Sequence, residues 1–422
     1  MKKVLIPAVS LALAVLGAFV AFAQQKSTLT VWVLTDIAPY FKEVAGEFEK
    51  ANPGVTITVR DYANETYKTA IQVGVASNQP PDVFYNDPGE ASFKFVRDGQ
   101  VMDLTAAAKS AGWDKTLKGT ISAFTLDGKI WGAPYTQQSK YMYYSKEIFA
   151  KEGVKIPSSF SELLSTCKSL KAKGITPISF GNSERWPGIH YMTILNQKVV
   201  GDAQIASDYS LKPSTDKLFA DPGYASALQK LKDMQDAGCF NNAVNSVSPE
   251  IARATFYTGK SAMTFCGTWC LGMMDANGFK DKYGTFRFPK IEGGKGNQDY
   301  VISGPTGLQV SAKSNNKEAA AAFLAYVVSV KPQARLVSET QRIPTNAAAV
   351  KGLDLDPTLA AVIADLSSAD GSTLWLDSAV ESGISDAYQN VIQEVLNGTK
   401  TPQQAMATVR EAALVAKKKL GR

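Results

Sequence analysis

The side chains able to do bond-making chemistry are few. In 422 residues there is one histidine, His190, and four cysteines, Cys167, Cys239, Cys266 and Cys270. Ser-His-Asp or Cys-His catalysis, and any histidine-rich metal site, would have to pass through His190. The stretch "SAMTFCGTWC", Ser261 to Cys270, sets two of the cysteines around Trp269. C-x-x-x-C is not the redox C-x-x-C spacing, and no histidine or further cysteine stands nearby to complete a zinc set. Cys266 and Cys270 are able to bridge in an oxidising compartment, with Cys239 a rival partner for either. Cys167 lies on an apolar helical face and reads as a buried thiol. His190 follows Gly188 and Ile189 inside an expected helix and reads as structural rather than catalytic. The glycines of "EGGKGN", Glu292 to Asn297, lack a strand-loop-helix context and read as a turn, not a phosphate loop. No catalytic residue, metal ligand or cofactor is expected.

What recurs instead is an aromatic paired with a carboxylate or amide just past a strand, where ligands of open α/β sheets bind. Asp36 follows the first expected strand, and Asn86 and Asp87 follow the third. Gln138 lies in "GAPYTQQSKYMYY", Trp186 in the loop after "ITPISF", and Trp269 after "SAMTF"; Trp375 and Asp377 precede the terminal helices. Planar rings stack on the apolar faces of sugars, while carboxylates and amides exchange directional hydrogen bonds with hydroxyls. Simpler roles compete. Asp36 and Asp87 would also serve as helix caps, and Trp269 would also fit a core. Trp32, Trp113 and Trp131 are assigned to the core, while Arg185 beside Trp186 admits a charged sugar such as a uronate.

These residues need elements to hold them. "STLTVWVLT", Ser27 to Thr35, alternates like a strand, and "APYFKEVAGEFEKANPG" puts Phe41, Val44, Ala45 and Phe48 on one helical face before an Asn-Pro-Gly stop. A strand over Val55–Tyr62, a helix over about Glu65–Ala76 and the short strand in "PPDVFYND" follow. This alternation predicts an α/β unit with a largely parallel sheet. A second unit repeats the grammar. "SSFSELLSTCKSLKAK" is a helix with a Ser159–Glu162 capping box and Gly174 as its stop, and "TPQQAMATVREAALVAKKKLG" is a terminal helix capped by Thr401. Two α/β lobes sharing a cleft is the economical architecture.

Composition bounds the class. At 45% hydrophobic and 20% charged residues the chain is that of an ordinary globular protein with more than one domain. The net charge of +6 is mild and dispersed, which argues against a nucleic-acid partner. The N-terminus, "MKKVLIPAVSLALAVLGAFVAFAQQ", pairs two lysines with an apolar run ending in Ala-Phe-Ala. That is the pattern of a secretory signal peptide over residues 1–23, cut after Ala23, with a membrane anchor as the alternative. The mature protein is expected to be periplasmic or secreted, soluble and monomeric.

Seven blocks in order carry a resemblance: "TVWVLTDIAPYFKEVAGEFEKANPGVTITV", "PPDVFYND", "WGAPYTQQSKYMYYSKEIF", "GKSAMTFCGTW", "SGPTGLQVSAKSNNKEAAAAFLAYVVS", "RIPTN" and "AYQNVIQEVLNGTKTPQQA". Together the chain resembles the family 1 extracellular solute-binding proteins of carbohydrate ABC importers, the group similar to maltose-binding protein. The resemblance implies a two-lobe periplasmic-binding-protein fold with a hinge and an inter-lobe cleft. It implies crossings near Gln137–Tyr141, Ser303–Gly304 and Pro344–Ala348. The first lobe then takes residues 27–137 and 304–345, and the second 138–303 and 346–422. By position, ligand contacts fall on Asp36, Asn86, Asp87, Gln138 and Trp269, with Trp186, Trp375 and Asp377 in equivalent but more variable loops. The implied function is capture of a sugar or oligosaccharide by lobe closure and delivery to the permease subunits of an ABC transporter. Rival readings are a receptor for a polyamine, phosphate ester or other non-sugar solute, and a secreted glycoside hydrolase.

Overall fold

The computed structural model describes residues 26–422, so the expected signal segment lies outside the described residues. The first strand, Ser27–Leu34, pairs in parallel with Val55–Tyr62 on one side and Val83–Asn86 on the other. Between the first two strands runs the helix Ala38–Ala51, which buries Phe41, Val44, Ala45 and Phe48, the face predicted from their spacing. Asn64–Ala76 is the second crossover helix. Because the three strands run parallel, the loops after the first and third, with Asp36 and Asp87, open at one end of the sheet.

Two long strands depart from the expected parallel arrangement. Ala133–Ser145 and Val301–Val310 run antiparallel to each other and continue from one half of the molecule into the other. Val301–Val310 pairs antiparallel with Val83–Asn86 through its far end, whereas the distal half of Ala133–Ser145 pairs with Ser261–Gly267 and Tyr283–Phe286. The sheet is mixed because a strand that carries the chain between lobes is not followed by the crossover helix that parallel pairing requires. A third short strand, Ile343–Pro344, lies beside Thr136 and Gln137.

Apolar clusters divide accordingly. One core gathers Leu29, Phe41, Val83, Tyr135, Leu308 and Phe323, and another gathers Leu163, Ile178, Leu228, Met263, Tyr388 and Val409. A satellite cluster around Tyr141, Tyr143, Leu271 and Leu359 takes in Val337 and Ile343. Trp113 and Trp131 belong to the first core or its margin, and half-buried Trp32 packs on Gly74.

Both halves of the capping box predicted for the C-terminal helix are realised: Thr401 and Gln404 bond reciprocally ahead of Pro402–Lys419. At Phe160–Ala172 only half of the box forms. Ser159 accepts from the Glu162 amide, while the Glu162 carboxylate turns to the amide and hydroxyl of Ser158.

Cys167 is not a free thiol. It is bonded to Cys239, with Cα atoms 4.8 Å apart, because the helix Phe160–Ala172 packs beside the turn that ends the helix Gly223–Asp236. Cys266 and Cys270 form the second disulfide.

The two halves touch at Gly89, whose φ of +71° and ψ of −141° suit glycine alone. A Cβ there would sit 2.6 Å from the Ser378 carbonyl oxygen. Gly89→Ala should therefore cost roughly 2 kcal/mol, from backbone strain and from parting the contact. Urea unfolding of the variant tests this, and an unchanged midpoint would mean that the two halves separate freely at this point.

Candidate functional site

A cavity of about 470 Å³ lies between the two halves, where the loops following the strands of each face one another. From the second half, Trp186 opens the helix Trp186–Val200, Trp269 opens Cys270–Ala276, and Trp375 precedes Leu376–Ala379. With His190 they make one continuous aromatic surface. Trp375 lies 4.7 Å from the His190 ring and 5.7 Å from Trp269, and Trp186 lies 5.1 Å from His190 and 6.4 Å from Trp269. Such spacings are those of rings packed edge and face on each other; Trp186 and Trp269 remain half-exposed, while Trp375 and His190 are buried behind them at the cavity wall.

Local sequence explains how the indoles are held. Gly267 has no Cβ, and the Trp269 ring occupies the space a Cβ would need. Thr268 is tied to the crossing strand by its amide, which donates to the Ser139 carbonyl at 2.8 Å. Trp186 donates its indole N–H to Glu184 at 2.8 Å, and Arg185 adopts φ +65° to start the helix.

Asp36 and Asp87 face the rings from the first half, while Glu184 and Asp377 stand beside them on the second. Asp87 accepts from the Tyr85 hydroxyl at 2.7 Å. Burial raises its carboxyl above the usual carboxylate range, the Tyr85 hydrogen bond opposes that, and nearby Asp377 adds to it. Burial also acts to raise Asp377, but the His190 imidazole and the Lys68 ammonium outweigh it and hold that carboxyl low. One Asp377 oxygen, Oδ1, is buried with no hydrogen-bond partner. Glu184 is raised by burial, against the Trp186 hydrogen bond and with the help of Glu250 and Glu65. Asp36 is bound by the Arg342 guanidinium at 2.6 Å, which links the end of the first strand to the third chain crossing. Gln138 lies on the crossing strand itself and is buried at the cavity floor.

Of the residues singled out in the sequence, Asp36, Asp87, Gln138, Trp186, Trp269, Trp375 and Asp377 converge on this cavity. Asn86 does not. Its side-chain amide donates to Gln309 at 2.8 Å and its oxygen accepts from the Asp87 amide. It faces a neighbouring cavity of about 340 Å³ instead. Asp87 lies just past the strand end and lines both cavities, whereas Asn86, held by Gln309, reaches only the second.

Sequence reasoning missed Lys68, Tyr85, Glu250, Arg253, Met273 and Arg342, all of which line the cavity. Glu250 and Arg253 carried a signal: Ser248 caps the helix Pro249–Tyr257 by accepting from the Ile251 amide, so a helix start was readable there. Lys68 carried none.

His190 is buried beneath the indoles. Its Nδ1 is 2.9 Å from Lys140 Nζ and its Nε2 is 3.7 Å from Asp377. Burial, reinforced by the Lys140 charge, pushes the imidazole down to about 4, although Asp377 opposes this. The folded protein therefore holds His190 neutral where the unfolded chain, near 6.5, takes up a proton. Stability from this group is complete above pH 6.5 and falls as the pH drops toward 4, by roughly 2–3 kcal/mol. His190→Gln should flatten that part of the stability–pH curve, as read from urea midpoints; an unchanged slope would move the effect to other groups.

The sequence matches the family described as bacterial extracellular solute-binding protein over residues 32–334. It is 26% identical over 326 residues to the multiple sugar-binding protein of Streptococcus mutans, covering 75% of this chain and 73% of the relative. It is 25% identical over 337 residues to the maltooligosaccharide ABC transporter solute-binding lipoprotein of Streptococcus pneumoniae, covering 75% and 72%. A solved structure from work on xylan utilization by Caldanaerobius polysaccharolyticus superposes with a TM-score of 0.84 at 29% identity, covering 91% of this chain and 99% of that one. Two lobes, strands shared between them and a cleft walled by the loops of both are accounted for together: the chain belongs to the bacterial extracellular solute-binding proteins.

Proposed function

We propose that this protein captures a sugar or oligosaccharide in its inter-lobe cleft, closes around it, and delivers it to the permease subunits of an ABC transporter. One observation carries the reading: Trp186, Trp269 and Trp375, packed on His190, form an aromatic wall flanked by Glu184 and Asp377 and faced by Asp36 and Asp87 across the cleft. Rings of that kind stack on pyranose faces while the acids accept from hydroxyls, and neither group alone would orient a sugar. The names of the Streptococcus relatives, a sugar-binding protein and a maltooligosaccharide transporter component, support the same class.

Residues 27–137 with 304–345 form the first lobe and 138–303 with 346–422 the second, the crossings acting as the hinge. Asp36, Asp87, Gln138, Trp186, Trp269, Trp375 and Asp377 contact the ligand. Closure follows because a sugar held on one lobe gains contacts from the other, which shifts the population toward the closed form. The protein works as an exported, soluble monomer after loss of residues 1–23, and releases its sugar intact. Among the described residues no helix is long and apolar enough to cross a membrane.

Thermal shift and calorimetry against mono- and oligosaccharides, with spermidine and a sugar phosphate as controls, test the reading. A ligand at 100 times its Kd stabilises the native state by about 2.7 kcal/mol, and small-angle scattering should record compaction with it. A response to spermidine or the phosphate ester, with none to any sugar, would overturn the assignment.

A further inference from the structure

The cleft carries a charge imbalance that bears on which sugars it admits. Each cation lining it is already engaged with a carboxylate. Arg342 binds Asp36 at 2.6 Å, Arg253 binds Glu250 at 2.7 Å, and Lys68 binds Glu65 at 2.8 Å. Asp87 and Glu184, by contrast, line the cavity with no cation in salt-bridge contact, receiving only a tyrosine hydroxyl and an indole N–H. Asp377 has the His190 ring at 3.7 Å and no cation in salt-bridge contact, the Lys68 ammonium acting on it only at a distance, and its Oδ1 is buried without a partner. His190 adds no charge at neutral pH, since burial holds it neutral. Lys140, beneath it, is buried against the Phe265 and Trp186 rings and is pushed far below an ordinary lysine by desolvation. Arg185, the residue that admitted a uronate in the sequence, does not line this cavity; its guanidinium donates to Asn390 at 2.9 Å.

We propose that the cleft refuses anionic sugars: Asp87, Glu184 and Asp377 are acceptors awaiting hydroxyl or ammonium donors, so the ligand is a neutral or amino-bearing glycan, and uronates and sugar phosphates are excluded. This rests on the sugar-receptor reading above and narrows it. A carboxylate acting as acceptor holds a hydroxyl more firmly than an amide does, since charge-assisted hydrogen bonds are the stronger kind. The same oxygens repel an anionic substituent inside a cavity where water screens little, and juxtaposed like charges are a recognised means of rejecting wrong partners. The buried, unpartnered Asp377 oxygen is the sharpest case, because a buried acceptor left without a donor is costly and a ligand hydroxyl would satisfy it.

The test is a set of matched titrations by calorimetry on the full mature chain. Maltotriose, cellotriose and a chitin trimer are each compared with the counterpart of the same linkage and length oxidised at C6 or carrying a phosphate; xylotriose is compared with the same chain bearing a glucuronate branch. A neutral trimer that binds, with its anionic counterpart weaker by about 100-fold, is the expected result. An anionic member binding as tightly as its neutral partner would overturn the exclusion and leave sugar capture standing. Failure of every sugar, neutral and anionic, would overturn both. As a second measurement, the single variants Asp87→Asn, Glu184→Gln and Asp377→Asn keep shape and remove charge. At least one should narrow the neutral-to-anionic ratio by about tenfold, with an unchanged circular dichroism spectrum. A ratio unmoved in all three folded variants would show that the discrimination is not electrostatic.

Discussion

Trp269→Ala should weaken sugar binding by about 100-fold while the protein stays folded. Trp269 occupies the centre of the aromatic surface, within 6.4 Å of both Trp186 and His190 and within 5.7 Å of Trp375. Truncating a central, well-packed aromatic anchor typically costs 2 kcal/mol or more, and about 1.4 kcal/mol is a factor of ten. The ring is only half-buried and lies at the start of a helix rather than within a core, so its loss should lower stability far less than affinity. Calorimetry is the proper readout, because the substitution removes part of the fluorescence signal. Trp269→Phe should recover a good part of the loss by restoring a stacking face. Equal affinity in Trp269→Ala and wild type would remove the best-placed indole from the site and the stacking mechanism with it.

The largest stability effect should come from the disulfide that the sequence did not pair. Cys167–Cys239 spans a separation of 72 residues, against 4 for Cys266–Cys270. Cross-linking removes loop-closure entropy from the unfolded chain, so the longer bridge contributes about 4 kcal/mol and the shorter about 2 kcal/mol on the same formula. Cys167→Ala with Cys239→Ala, in place of serines that would bury new hydroxyls, should therefore lower the unfolding free energy about twice as much as the pair of alanines at Cys266 and Cys270. Urea titration of the two double variants decides this. The ligand phenotype should run the other way: the shorter bridge closes the turn bearing Trp269, so its removal should loosen sugar binding while loss of the longer bridge leaves it alone. Similar stability losses and similar affinities in both variants would mean that neither bridge has the local role its place in the fold implies.

Much of the architecture was legible because it rests on near-neighbour chemistry. The helical face of Phe41, Val44, Ala45 and Phe48, the strand Val55–Tyr62, the Thr401–Gln404 box and the turn at Gly174 all depend on residues within a few positions of each other. So does the placing of Asp36, Asp87, Trp269 and Asp377 just past the ends of elements, which is why those residues could be nominated for a cleft before any tertiary contact was known.

What the chain alone did not determine was the partner of each group across the molecule. Cys167 looked like filler on an apolar face until the turn at Cys239 came to lie beside it. Asn86 and Asp87 are equivalent as letters, and only the antiparallel register with Val301–Val310 turns the Asn86 amide to Gln309 and leaves Asp87 in the cavity. Lys68 and Arg253 pair with acids three residues away on their own helices, whereas Arg342 and Asp36 are distant in sequence and meet only in the folded protein. Local patterns are set by the 3.6- and 2-residue periods of the backbone. The Arg342–Asp36 pair, the Cys167–Cys239 bridge and strand register are set by which surfaces pack together.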